Sequence, residues 1–283
     1  MSITNSSVLV ELHMSVWTAN KLDRGATAKV TADNSASSRA AKVHKNLMEG
    51  SHLLENIASL AAACRKQHLQ YTLPWNDGGQ RLLPTSYFMD YKTKMNEYRT
   101  TFDTLVKEFI NAYPALVQTA HNYLGGLFNP DDYPSANEVL SKFNFDLSFS
   151  PVPMSGDFRL DVSANELSEL AAQYEQHFNA RMTEALRDPW DRLHKALATI
   201  TEKLTDKDDG VKRKYYDSLL GNVHELCGIL THLNVSKDPK LEQARREVEA
   251  MLAGTSIEMI RESAVVRAET KAKVDAIIKQ FEW

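Results

Sequence analysis

Residues 163–204 read SANELSELAAQYEQHFNARMTEALRDPWDRLHKALATITEKL, and this stretch decides the fold class. Ser163 followed by Glu166 fits a capping box, in which hydroxyl and carboxylate reciprocally satisfy the backbone donors that a helix start leaves free. From Leu167 through Tyr174, Phe178, Met182 and Trp190 to Leu204, apolar residues recur every three or four positions, as on one face of a helix. The pattern predicts a helix of about 40 residues, roughly 60 Å long. Pro189 predicts a bend near its middle.

The same periodicity extends in both directions. Upstream, Phe88, Tyr91, Met95, Tyr98, Phe102, Leu105 and Phe109 form an aromatic stripe. Pro114 predicts its end or a kink, and a short continuation closes at Gly125 and Gly126. Downstream, the polar TDKDDG (205–210) predicts a turn, after which Tyr216, Leu219, Val223, Leu226, Leu230 and Leu233 return antiparallel. Asp238 and Pro239 supply the cap and first position of a further helix. Gly254 interrupts it, and Thr255 with Glu258 restarts a last helix toward Phe281. Between about Ser38 and Leu69 a less regular helix is expected, with a break near Gly50 and Ser51. TAKVTADNSASSRA (27–40) reads as a mobile connector with a helix start inside it.

Strand patterns are few. Val8, Val10, Leu12, Met14 and Val16 alternate with polar residues, as do Phe143, Phe145, Leu147 and Phe149, and again Phe158, Leu160 and Val162 after the turn PVPMSGD. These predict strands near 8–17, 143–150 and 157–162. The expected architecture is therefore α+β and predominantly α: long antiparallel helical hairpins or a bundle with a small three-stranded antiparallel sheet. Residues 1–162 form an N-terminal helical region with the sheet and 163–283 a helical hairpin with C-terminal helices, as two parts or one continuous domain. The stripes read as core; the other reading leaves one free for a partner helix or for self-association, and a homo-oligomer is expected.

Composition sets outer bounds. With 43% hydrophobic and 25% charged residues the chain is ordinary for a soluble globular protein, and no apolar run is long enough to span a bilayer. The start MSITNSSVLVELHM has no basic region followed by an apolar core, so no signal peptide and a cytoplasmic location are expected. Cys64 and Cys227 sit in apolar helical contexts that suit reduced core thiols. A net charge of -4 excludes a surface that grips nucleic acid all over, while leaving room for a local basic face.

Catalytic signatures are missing. There is no phosphate-binding glycine loop, GxSxG elbow, HExxH or CxxC pair, and the expectation is a protein that is not an enzyme, with no cofactor and no metal. His224, Glu225, Cys227 and His232 make the nearest approach to a metal set: His224 and His232 can share a helix face, but Glu225 and Cys227 lie on different ones and only a second helix could complete the shell, so core and surface roles are expected. Lys212, Arg213 and Lys214 beside Tyr215 and Tyr216 read as a solvated helix start.

The aromatic stretch HLQYTLPWNDGGQRLLP (68–84) stands apart. Two prolines and an Asn-Asp-Gly-Gly turn predict an ordered loop. On one reading Tyr71, Trp75 and their leucine neighbours plug the end of a bundle. On the other, Tyr71 and Trp75 offer faces on which unstacked bases lie while Arg65, Lys66 and Arg81 meet phosphates, a combination that holds single-stranded nucleic acid.

Four segments, SVWTANKLD (15–23), TLPWNDGGQRLLP (72–84), GLFNPDDYPS (126–135) and PVPMSGDFRL (151–160), resemble the landmarks of an uncharacterised family encoded by tailed bacteriophages and prophages. The resemblance implies a phage accessory protein of nucleic-acid metabolism acting in the host cytoplasm, at times beside a MoxR-like AAA+ ATPase with a von Willebrand A partner. It supplies no catalytic residue. Two functions are thus expected as alternatives: an oligomeric single-stranded DNA-binding protein using Arg65, Lys66, Tyr71, Trp75 and Arg81, or a helical scaffold or adaptor for an AAA+ ATPase or a host defence component.

Overall fold

The computed structural model describes residues 6–153, 163–205 and 214–281. Among the described residues 67% are helical, with a small antiparallel sheet, giving an α+β protein that is mostly α. Its elements in order are β1 (Ser7–Ser15), β2 (Asn20–Leu22), α1 (Arg24–Asp33), β3 (His44–Asn46), α2 (His52–Gln70), β4 (Leu73–Pro74), β5 (Arg81–Pro84), α3 (Phe88–Thr119), α4 (His121–Leu124), α5 (Ala136–Leu140), β6 (Asn144–Pro151), α6 (Ala164–Leu204), α7 (Ser218–Leu233), α8 (Pro239–Ala253), α9 (Ile257–Glu262) and α10 (Ala264–Gln280). They form two compact units. Unit 1 takes the N-terminal stretch up to Glu11, His68–Tyr91 and the chain from Ser148 onward; unit 2 takes Leu12–Gln67 and Lys92–Leu147.

The main sheet has four strands in the order β4-β5-β1-β6, and β2 and β3 make a separate ribbon. β1 and β6 correspond to the first two expected strands. The third, at 157–162, lies outside the described residues. The other strands come from 73–84, which the sequence reading treats as a loop. Antiparallel register pairs Val8 with Leu83, Leu9 with Leu82, and Leu82 in turn with Leu73. Strands of two and four residues are too short to display alternation, and Pro74 and Pro84 sit at strand ends where a missing donor is tolerated.

The core of unit 1 follows the stripes. Leu193, Leu197 and Ile200 of α6 are fully buried against Cys227 and Leu230 of α7, Ala244 and Val248 of α8, and Val274 of α10. The capping box at Ser163 is present, with the hydroxyl accepting from Glu166 N and the carboxylate accepting from Ser163 N. α6 continues through Pro189. In unit 2, Met95, Phe102 and Phe109 are buried, and Trp17 meets Phe109 and Tyr113 with ring centroids 6.2 and 5.9 Å apart.

Of the two outcomes expected at Pro114, the end of the helix does not occur: α3 runs five residues past it to Thr119, and the short continuation closes at Gly125, at φ +51, as expected. Two other local expectations are corrected. The break expected near Gly50 and Ser51 is present, with Gly50 at φ +76, a conformation glycine adopts without steric cost, and α2 follows it, but the part from Ser38 up to the break is not helix and holds β3 instead. The expected mobile connector contains most of α1, whose first turn is fixed by Asp23 accepting from Ala26 N at 2.8 Å. No helix among the described residues is long and apolar enough to cross a membrane.

Candidate functional site

In the 68–84 stretch the end of α2 leads into a tight β4–β5 hairpin of unit 1, whose apolar side chains are buried while Asp77 at the turn is exposed. Asn76 and Gln80 close the turn: Asn76 Oδ1 accepts from Gln80 N, the two side chains bond at 3.1 Å, and Gly79 holds φ +98. Trp75, expected as a stacking face, is 3% exposed. It packs edge-on to Phe178 at 5.5 Å, in a core shared with Leu73, Leu82, Met182 and Leu233. The hairpin is therefore a plug, and no base reaches this ring while unit 1 is folded.

Arg81, expected to meet phosphate, serves the backbone instead. Its Nε donates to Thr72 Oγ1 at 2.6 Å and its Nη2 to Thr72 O at 3.0 Å. Arg192 approaches from α6, donating to the carbonyls of Leu69, Gln70 and Thr72 while its Nε lies 2.6 Å from Asp188 Oδ2. The last carbonyls of a helix have no partner inside it, and a guanidinium fork answers several at once. Burial raises the Asp188 carboxyl above its ordinary value, opposed by the charges of Arg192 and Arg81.

Tyr71 stacks on Tyr87 at 4.5 Å with planes 10° apart, leaving it half-buried. Arg65 and Lys66 are exposed and belong to unit 2, where Arg65 donates to Met14 O at 2.8 Å. Of the five expected residues, then, Trp75 and Arg81 are structural, and the tertiary reason is that the aromatic and leucine side chains of a two-stranded hairpin bury together.

Unit 1 also holds a buried polar pair for which the sequence gives no signal. His68 Nδ1 and the Tyr91 hydroxyl are 2.6 Å apart. Burial, with a smaller push from Arg81, lowers the imidazole to about 4, so it is neutral near pH 7.

The expected metal set does not assemble: His224 and Glu225 are exposed, Cys227 is buried, and His232 rests against the Tyr87 ring at 4.9 Å. Burial raises the Cys227 thiol to about 12 and that of Cys64 to about 11. Lys212 and Arg213 lie outside the described residues.

Unit 2 carries a polar cleft of about 540 Å³. Two loop segments singled out in the sequence meet there: Lys21, Leu22 and Asp23 from one, Leu127, Asn129 and Asp132 from the other, with Lys45 of β3 between them. Local chemistry sets each wall. Ala19, fully buried, holds φ +54 and accepts from Leu47 N, a left-handed turn that costs a side-chain-bearing residue roughly 1 kcal/mol and starts β2 in register. On the far wall, Asn129 Oδ1 accepts from Asp131 N and Pro130 opens a 3-10 turn that carries Asp132.

Lys45 is 8% exposed. Its ammonium lies 2.5 Å from Asp132 Oδ2 and 3.5 Å from Asp23 Oδ2, and donates to Leu127 O at 2.8 Å. Asp132 raises its pKa above the usual lysine value, and the bond from Ala26 N holds Asp23 below the usual carboxylate range. The floor is thus a closed set of ion pairs. Sequence spacing gives no signal for this triad beyond the capping position of Asp23, because its members come from three separated segments. No family model, no curated protein and no solved structure matches the chain.

Proposed function

We propose that this chain is a phage accessory protein that acts by contact rather than catalysis, as a helical adaptor for a protein partner. The observation that carries the reading is a contrast in where charge is used. In unit 1, Trp75 and Arg81, two of the residues that suggested a grip on single strands, hold the fold together, whereas in unit 2 exposed Lys21 and Arg24 border the cleft with no side-chain partner among the described residues. The long apolar stripes of α6 and α7 support a rigid frame for such a contact. The four segments resembling tailed-phage proteins support the setting, and an AAA+ ATPase of the MoxR type is the partner to test first.

Co-expression of the full chain with such an ATPase and its von Willebrand A companion, followed by light scattering on the purified material, is the experiment. A stoichiometric complex is expected. Absence of any complex, together with salt-sensitive retardation of a labelled single strand, would move the protein to the nucleic-acid class.

A further inference from the structure

The β2–β3 ribbon contains an arrangement that a two-stranded sheet normally avoids. Lys21 and Lys45 are direct cross-strand partners. Side chains directly opposite each other share a face a few ångströms apart, and like charges there are destabilising. Asp132, Asp23 and Leu127 O satisfy Lys45. Lys21 is exposed and has no side-chain partner among the described residues, and the same holds for Arg24 at the start of α1. Exposed apolar groups flank these cations: Leu22 is 39% and Leu127 45% exposed, with the half-buried ring of Phe128 beside them.

The cleft's interior does not suit a compact anion. Ala26 N, the donor that the start of α1 would aim at a phosphate, is taken by Asp23. The ammonium of Lys45 is already surrounded by acceptors, and two carboxylates line the floor. Free attraction for negative charge lies on the rim, at Lys21 and Arg24, and between them stands leucine. The chemical complement is an extended chain whose carboxylates lie outside while one large apolar side chain enters.

We propose that this cleft binds an acidic segment of a protein partner, its carboxylates paired with Lys21 and Arg24 and a large apolar residue seated against Leu22, Leu127 and Phe128. The inference rests on the adaptor reading and adds the surface and the chemistry of the partner. A nucleic-acid strand would meet the same two cations but would bring phosphates over Asp23 and Asp132.

The test pans a randomised peptide display library on the full-length protein, then measures the enriched peptides by fluorescence anisotropy against wild type, the double variant Lys21→Glu/Arg24→Glu, and Leu127→Ser. All three substituted side chains are exposed, and amide exchange in α1 checks that unit 2 remains folded. Enriched peptides are expected to combine aspartate or glutamate with leucine, phenylalanine or tryptophan. Their affinity should fall about tenfold or more in the charge-reversed protein and less in Leu127→Ser. Absence of acidic enrichment, or equal binding to the charge-reversed protein, overturns the assignment. So does a labelled oligo-dT that competes and is lost in the same variant, which makes the cleft a nucleic-acid site. A partner that still co-purifies with Lys21→Glu/Arg24→Glu leaves the adaptor reading standing while the cleft assignment falls.

Discussion

Lys21 and Lys45 face each other across the β2–β3 ribbon, and of the two only Lys45 has carboxylate partners among the described residues. One lysine is therefore a structural element of unit 2, and the other is a charge held at the surface against a like neighbour. That asymmetry separates what the two side chains do.

Substituting them should have opposite consequences. Lys45→Met leaves Asp132 without its cation in a site where it is largely buried, and such a loss destabilises by about 3–5 kcal/mol. Lys21→Met removes the like-charge opposition and should be neutral or stabilising by a few tenths of a kcal/mol. Hydrogen exchange of the α1 and β3 amides reads both; similar losses from the two variants would show that Lys45 is not the keystone.

His68 should give unit 1 an acid sensitivity. Its folded value of about 4 lies below the ordinary 6.5, so the fold binds the proton less readily than the unfolded chain does. The stability this provides is complete above pH 6.5 and is lost as pH falls toward 4, up to about 3 kcal/mol. Urea titrations of wild type and His68→Gln across that window should converge at low pH. Parallel curves would mean that the imidazole is not the group responsible.

Trp75→Ala empties the core shared by the hairpin and α6 and should cost about 3–5 kcal/mol. Arg192→Ala should cost a comparable amount, since it strips the carbonyls of Leu69, Gln70 and Thr72 and leaves Asp188 without its nearest cation. Arg65→Ala, on an exposed side chain, should fall within about 0.5 kcal/mol. Thermal melts order the three, and a mild Trp75→Ala would place the ring outside the core.

Ser163→Ala removes the hydroxyl that accepts from Glu166 N at the start of α6, for a loss of about 1 kcal/mol. The same hydroxyl, with Ser163 N, holds the Glu166 carboxyl below its ordinary value. An NMR titration should therefore show the Glu166 carboxyl moving up toward the ordinary glutamate range in the variant, and an unchanged titration would count against the reciprocal cap.

Along α6, α7 and α8 the sequence was readable because each signal acts within one or two turns: the 3.6-residue stripe, the box at Ser163, the cap at Asp238 ahead of Pro239. Small slips have local causes. The last helices start from Ser256, not Thr255, since the Ser256 hydroxyl is the one that accepts from Met259 N. Ser135 and Glu138 form a second capping box, legible in the same S-x-x-E spacing but passed over.

By itself the sequence determined the helical class, the long stripes, the caps and the placement of glycine turns, all set by neighbours a few residues apart. Only the tertiary structure decided that Trp75 and Arg81 turn inward, that residues 73–84 join the sheet, and that Lys45 meets Asp23 and Asp132 while Lys21 stays in water. Those outcomes depend on which distant segments bury one another. The free energy of burial is shared over many contacts, so no single spacing along the chain records it.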